Sequence, residues 1–280
     1  MPSARPSIAV AVPSLNQGRF LPEALDSIAR ADVKILTAVL DAGSTDGSRE
    51  IIDARSSEFV YWRSAPDAGQ AWAINEGIVR LCEHQPDVDF VGWLNADDVF
   101  MKGGLEALAH ALASHPDWMV ACGRGALLSE AGTIDGEIPT APFSRHRFAR
   151  ACTICQPATL IRRAAWQQVG GLDASMHMCF DYDLWWRLSR LGTIGYVDTM
   201  VAASRDHGDT KTRRHREQYF EEATAIVRRE TGSVPWHWYV SEAIERQVQY
   251  EVGRRPPLAI RLKARAEAAF AYVRGRRVQL

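Results

Sequence analysis

Two acids stand side by side where an apolar run turns polar, in Trp93-Leu94-Asn95-Ala96-Asp97-Asp98. Adjacent carboxylates in such a turn suit Mg²⁺ or Mn²⁺, which take oxygen ligands and share them with substrate phosphates. The plainer alternative makes Asp98 a cap for the helix that follows. A second polar turn, Leu40-Asp41-Ala42-Gly43-Ser44-Thr45-Asp46-Gly47-Ser48, has small residues that admit a ligand close to the backbone. Asp41 there can accept a hydrogen bond from a base or ribose, and a simple turn closed by Asp46 is the alternative. The turn is neither a G-x-G-x-x-G fingerprint nor a Walker loop, which argues against dinucleotide and P-loop enzymes.

Phe180-Asp181-Tyr182-Asp183-Leu184-Trp185-Trp186-Arg187-Leu188 places two acids at the start of an apolar helix. A carboxylate against an apolar wall has its pKa raised by desolvation and can serve as a general base. Acids also favour helix N-termini through the macrodipole alone. Trp185 and Trp186 are core candidates whose faces would also suit a sugar ring. In Arg205-Asp206-His207-Gly208-Asp209-Thr210-Lys211, His207 can bind metal, and Arg205 and Lys211 can neutralise phosphate; a solvated loop histidine is the alternative. Cys152-Thr153-Ile154-Cys155 lacks the second cysteine pair of a zinc site and reads as buried thiols.

The elements that must position these residues alternate. Apolar and β-branched runs predict strands at 8–12, 34–41, 59–62, 88–94 and 118–122, with helices near 19–30, 46–55, 69–81 and 103–114, the second of these N-capped by Asp46. Such alternation implies a parallel sheet in an α/β layer, with ligands at the carboxyl ends of the strands, where strand order switches. That rule selects Pro13–Gln17, Asp41–Asp46, Pro66–Gln70 and Asn95–Asp98. Beyond residue 123 the pattern loosens. Residues 129–153 read as irregular, 158–161 and 194–202 as strands, and 163–169, 181–191, 213–230 and 238–250 as helices. A break at Gly253–Pro257 precedes a basic helix.

Composition adds exclusions. Among 280 residues, 46% are hydrophobic and 24% charged, ordinary globular usage that excludes a disordered or collagen-like chain. No run approaches the about 20 apolar residues of a membrane span. The first residues lack the pattern of a secretory leader, so the expected compartment is the cytosol. A net charge of −1 conceals a basic tail: residues 253–280 carry eight Lys/Arg and one acid.

Taken together, AVPSLNQGRFLPEALDSI, VLDAGSTDGS, APDAGQAWAINEGI, WLNADD, QPATLIRR, VGGLD, DYDLWWRL and the His207 loop, in that order, resemble the family 2 glycosyltransferases over about Ser7 to Lys211. The resemblance implies the GT-A fold: a Rossmann-like nucleotide-binding half with a mixed central sheet, in an α/β chain. It implies a transferase domain over 1–212, with a nucleotide-sugar half at about 1–122 and an acceptor half at about 123–212. The remaining 213–280 form a helical extension ending in the basic tail 253–280. It also implies a nucleotide-sugar donor, usually UDP-linked, a Mn²⁺ or Mg²⁺ ion, and inversion at the anomeric carbon. Pro13, Ser14 and Asp41 match nucleoside-binding positions, and Asp67 matches a further donor-side position. Asn95-Ala96-Asp97 matches the Asp-x-Asp motif, with Asp97 as metal ligand. Asp181 matches the base, and His207 a loop histidine that reaches the metal or diphosphate. Three residues depart from the family pattern: Asn95 replaces the motif's first acid, Phe180 stands where a glutamate often precedes the base, and Trp72 replaces a polar residue.

The function expected is therefore transfer of a sugar to a hydroxyl of a glycan or glycolipid, in polysaccharide biosynthesis. Asp181 takes the acceptor proton, and Arg205, Lys211 and His207 add charge at the leaving diphosphate. The alternatives are a nucleotidyltransferase that makes a nucleotide-sugar and a non-catalytic glycan-binding relative. Nucleic acid is not an expected partner. In the tail, Leu258, Leu262, Ala266, Ala269, Phe270 and Val273 share a helical face flanked by Arg261, Lys263, Arg265 and Arg274. A basic amphipathic helix of this kind fits peripheral contact at the inner membrane face, or packing on the chain or a second copy.

Overall fold

The computed structural model describes residues 6–247 and 257–277, with side chains to Tyr272 in the last helix. The first unit holds residues to Phe143 together with Thr153–His207. Its leading strand β1 (Ser7–Ser14) is buried along its whole length, as an uninterrupted apolar run predicts for a strand covered on both faces. Around it come α1 (Leu21–Ala29), β2 (Lys34–Asp41), α2 (Ser48–Ala54), β3 (Tyr61–Ser64), α3 (Gln70–His84) and β4 (Phe90–Trp93). Strands β1 to β4 pair in parallel, in the order β3-β2-β1-β4. The chain runs outward from β1 to β2 and β3, then returns to its other side with β4. The switch point therefore lies at the carboxyl ends of β1 and β4.

The second half of the sheet is mixed. It contains β5 (Val99–Phe100), β6 (Trp118–Ser129), β7 (Ile134–Ile138), β8 (Thr159–Arg162) and β9 (Thr193–Asp206), with α4 (Gly104–Ser114) before β6. Strand β8 runs antiparallel between β4 and β6, whereas the long β6 and β9 pair in parallel. Helix α5 (Arg145–Phe148) belongs to the second unit; α6 (Arg163–Val169) and α7 (Phe180–Leu188) return to the first.

Close packing fixes helix α3. A Cβ on Gly77 would lie 2.6 Å from Leu40 and 2.9 Å from Ala11, so this glycine lets the helix rest on β1 and β2. Asn75 of α3 bonds both backbone groups of Leu172, at 2.8 and 2.9 Å, and so ties the helix to the segment before α7.

Several expectations need correction. Asp46 does not cap α2; Gly47, with φ 92°, occupies that place. Asp46 instead accepts from Ser48 N at 3.1 Å and Gly18 N at 2.8 Å, and so ties the β1–α1 loop to the β2–α2 loop. Asp98 caps no helix, because β5 intervenes and Gly103 precedes α4. Strand β6 continues seven residues past the expected end at Cys122, through Gly123 and Gly125. A Cβ on Gly123 would lie 2.5 Å from Val201, so that glycine permits the close approach of β9, and one on Gly125 would lie 2.8 Å from the Cys155 Cβ. Strand β7 lies inside the segment expected to be irregular; its five residues alternate as Ile134-Asp135-Gly136-Glu137-Ile138, a signal kept short and weak by the central glycine.

The second unit joins residues 144–152 to the chain after His207. It holds α5, α8 (Lys211–Arg214), α9 (Arg216–Thr231), α10 (Trp236–Glu245) and α11 (Leu258–Arg277). Phe220, Ala223, Ile226, Val227 and Trp238 form its core, and Trp238 Nε1 donates to the Ala149 carbonyl at 2.9 Å. The Tyr272 ring sits 5.6 Å from both Trp236 and Tyr239, which places α11 along α10. The expected apolar face is not the packed one: Ala264 and Ala268 are buried, whereas Leu258, Leu262, Ala266, Ala269 and Phe270 are exposed. The Val273 and Arg274 side chains, residues 248–250 of the expected helix and residues 253–256 of the expected break lie outside the described residues.

Candidate active site

Four strand ends meet at the switch point. Ser14, the last residue of β1, registers against Asp41, the last residue of β2, and Pro13 and Ser14 are buried with them. Asp41 is fully buried, and its Oδ2 accepts from Gly43 N, Ser44 N and the Ser64 hydroxyl at 3.1, 3.0 and 2.6 Å. Gly43 has φ 84°, the left-handed conformation that lets the turn curl back onto this carboxylate. The Ser14 hydroxyl is buried with no hydrogen-bond partner among the described residues, a polar atom at the carboxyl end of the central strand.

A charged network that the sequence did not announce supports the next position. Arg63 donates to Asp67 at 2.9 Å, to Glu76 at 2.7 Å, and to the carbonyls of Asp41 and Ala65. Asp67 also accepts from Gly69 N at 2.8 Å and so holds the loop that starts α3. Trp72 remains 41% exposed, with the Arg63 guanidinium 5.2 Å from its ring.

The β4–β5 turn carries the acids. Asn95 accepts from Gln70 at 2.8 Å and donates to Asp98 at 3.0 Å. Gln156 in turn donates to the Trp93 carbonyl at 3.0 Å. Asp98 is buried, and burial first, then the charge of Asp97, push its carboxyl up to about 8. Its Oδ1 accepts from Arg205 N at 2.9 Å, which joins the turn to β9. Ala96 is buried between these acids, whereas Asp97 keeps part of its side chain accessible.

His207, immediately after β9, is brought to Asp97: Nε2 lies 3.0 Å from Asp97 Oδ2. The pair fits a divalent ion. Octahedral Mg²⁺ at about 2.1 Å from each ligand places neighbouring donors about 3 Å apart. A carboxylate with an imidazole suits Mn²⁺ as well. Among the described residues no cluster of three or more His, Cys, Asp and Glu forms. Protein sites that share Mg²⁺ with substrate phosphates use one or two carboxylates, so two protein ligands suffice.

Arg205 lies beneath this pair, not at its surface. It is 4% exposed and donates to the Asp97 carbonyl at 2.9 Å, the Ser129 carbonyl at 3.0 Å and Glu23 at 2.5 Å. Lys211 opens α8 in the second unit.

Asp181 lies in the first turn of α7, its Oδ1 accepting from Tyr182 N at 2.7 Å. The helix is seated against β4, with Trp93 stacked on Trp185 at 6.0 Å and 6.5 Å from Phe180. The Cys155 thiol is pushed up by burial, and the charges of Asp98 and Asp181 add to the shift. The core reading of the two tryptophans holds, and the sugar-facing one fails. Trp185 and Trp186 are 0% exposed and offer no face to a sugar. Asp183 is 1% exposed and paired with Arg187 at 2.6 Å, so it cannot stand in as a base.

Residues 9–168 match the model of glycosyl transferase family 2. The chain belongs to that family. Similar proteins include an uncharacterized glycosyltransferase of Rickettsia typhi, 23% identical over 235 residues, covering 79% of this chain and 70% of the relative. One from Rickettsia prowazekii is 24% identical over 221 residues, covering 74% and 66%. Among solved structures, Staphylococcus aureus TarS 1–349 in complex with UDP matches with a TM-score of 0.61 at 15% identity, covering 94% of this chain and 80% of that one. The mannosyltransferase PcManGT of Pyrobaculum calidifontis, in complex with GDP-Man and Mn²⁺, matches with a TM-score of 0.58 at 16% identity, covering 96% and 76%. These likenesses show the GT-A fold in this family 2 glycosyltransferase.

Proposed function

We propose that this glycosyltransferase moves a sugar with inversion from a nucleotide-sugar, UDP-linked in the first instance, to a hydroxyl of a glycan or glycolipid. The observation that carries the reading is the Asp97–His207 pair, 3.0 Å apart at the switch point of the sheet. Neighbours of the same fold hold UDP, or GDP-Man with Mn²⁺.

Pro13, Ser14 and Asp41 line the nucleoside position, with the Ser14 hydroxyl as a ready donor or acceptor. Asp67, held by Arg63, shapes the loop on the donor side. Asn95 and Ala96 fix the turn that carries Asp97. Asp97 and His207 would hold Mn²⁺ or Mg²⁺, which would supply Lewis-acid charge for the departing diphosphate. Arg205 acts by holding Asp97 from below. Asp181 takes the acceptor proton as the new bond forms opposite the leaving group, general-base help typically worth about 10²–10⁴-fold.

The exposed apolar stripe of α11, bordered by Arg261, Lys263 and Arg265, gives the chain a peripheral contact with an anionic membrane surface on the cytoplasmic side, which suits a lipid-linked acceptor. Calorimetry with a panel of sugar nucleotides and Mn²⁺ tests the donor assignment. Binding of one or two donors is expected, and no binding of any would overturn it. Product mass spectrometry on the binding donors separates transfer from nucleotide-sugar synthesis and from glycan binding alone.

A further inference from the structure

Departure of a diphosphate needs positive charge where negative charge grows. Arg205 cannot provide it by contact, since its side chain is 1% exposed and its nitrogens already serve Asp97, Ser129 and Glu23. Another guanidinium stands at the same place. Arg19 lies in the β1–α1 loop, and its Nη2 is 3.4 Å from His207 Nδ1, on the ring whose other nitrogen faces Asp97. Its Cζ sits 4.4 Å from the Phe20 ring centre, and that ring lies 4.9 Å from the imidazole. Phe20 therefore supports both the cation and the candidate metal ligand.

The charged head of Arg19 is half in solvent, at 49%, where it pairs with Glu130 in the turn between β6 and β7, itself 53% exposed. Ion pairs this open contribute little to stability, so exchanging one for another partner costs little. A phosphate offers the stronger match, because its oxygens accept two parallel bonds from the planar guanidinium.

Building on the donor reading above, we infer that Arg19 binds the donor's diphosphate directly, its guanidinium leaving Glu130 for a phosphate oxygen. Glu130 then acts as a holding partner that keeps the side chain folded over Phe20 between turnovers. The recognised chemistry is a nucleoside diphosphate; the base is not involved.

Calorimetry with Mn²⁺ on the full chain separates these contributions, using UDP and GDP against uridine and guanosine. Arg19→Gln should weaken binding of the nucleoside diphosphate by about tenfold, as expected for loss of a charged hydrogen bond. Binding of the bare nucleoside should not change, Arg19→Lys should recover part of the loss, and Glu130→Gln should not weaken binding. Wild-type affinity for the diphosphate in Arg19→Gln would overturn the inference, as would equal losses for nucleoside and diphosphate. Wild-type protein that binds neither UDP nor GDP would instead overturn the donor reading on which it rests.

Discussion

Asn95 shows what one atom exchange does at this site. In the position where the family motif begins with an acid, its amide accepts from Gln70 and donates to the buried Asp98. A carboxylate there could accept but not donate, and would bring a further charge beside a carboxyl that burial and Asp97 already push up to about 8. Asn95→Asp, although it restores the motif, is therefore expected to lower unfolding free energy by about 1–3 kcal/mol, the cost of an unmade buried hydrogen bond. A urea melt checks this, and an unchanged midpoint would show that the amide is dispensable. The base is tested at the same scale. Asp181→Asn should cut turnover about 10²-fold or more while donor affinity stays near wild type. Near-normal turnover in single-turnover assays would remove Asp181 from the role, and the buried, ion-paired Asp183 could not inherit it.

Elements whose signal lies along one strand or helix were legible. The run 34–41 is β2, its last six residues buried without interruption, and 163–169 is α6, with Ala165 and Trp166 buried. What stayed hidden depends on partners far away in the chain. Strand β7 is five residues long and centred on Gly136, and β6 crosses glycines that β9 and Cys155 approach closely. Gln70 lay in a segment that the strand-end rule selected, but its bond to Asn95, like those of Arg63 to Glu76 and Gln156 to the Trp93 carbonyl, depends on partners on other elements. Arg205 read as a surface cation because its loop is polar, yet Glu23, 182 residues earlier in the chain, draws it inside. Helix α3 offers the element-scale test. Gly77→Ala would push its new Cβ to 2.6 Å from Leu40, an overpacking that typically costs about 1–3 kcal/mol. The expected result is a lower melting temperature together with weaker donor binding, since α3 starts at the Asp67 loop; a melting temperature equal to wild type would mean that the helix can shift freely.

At the scale of the whole chain, charge is uneven, with eight Lys/Arg and one acid in residues 253–280. No helix among the described residues is long and apolar enough to cross a membrane. Leu258, Leu262 and Phe270 nevertheless stand 65%, 56% and 68% exposed on α11. Co-sedimentation with vesicles containing anionic lipid should pull down the full chain at low salt, with Leu258→Asp/Leu262→Asp remaining in the supernatant. Equal recovery of both in the supernatant would assign the stripe to another partner. The central claim, however, is metal-assisted sugar transfer. Nucleoside diphosphate release from a panel of sugar nucleotides, measured with Mn²⁺ and with EDTA in wild type and Asp97→Asn, tests it most directly. The account predicts release from at least one donor with Mn²⁺ in the wild type, and its loss both with EDTA and in the variant. Release that persists undiminished in Asp97→Asn with EDTA present would contradict it.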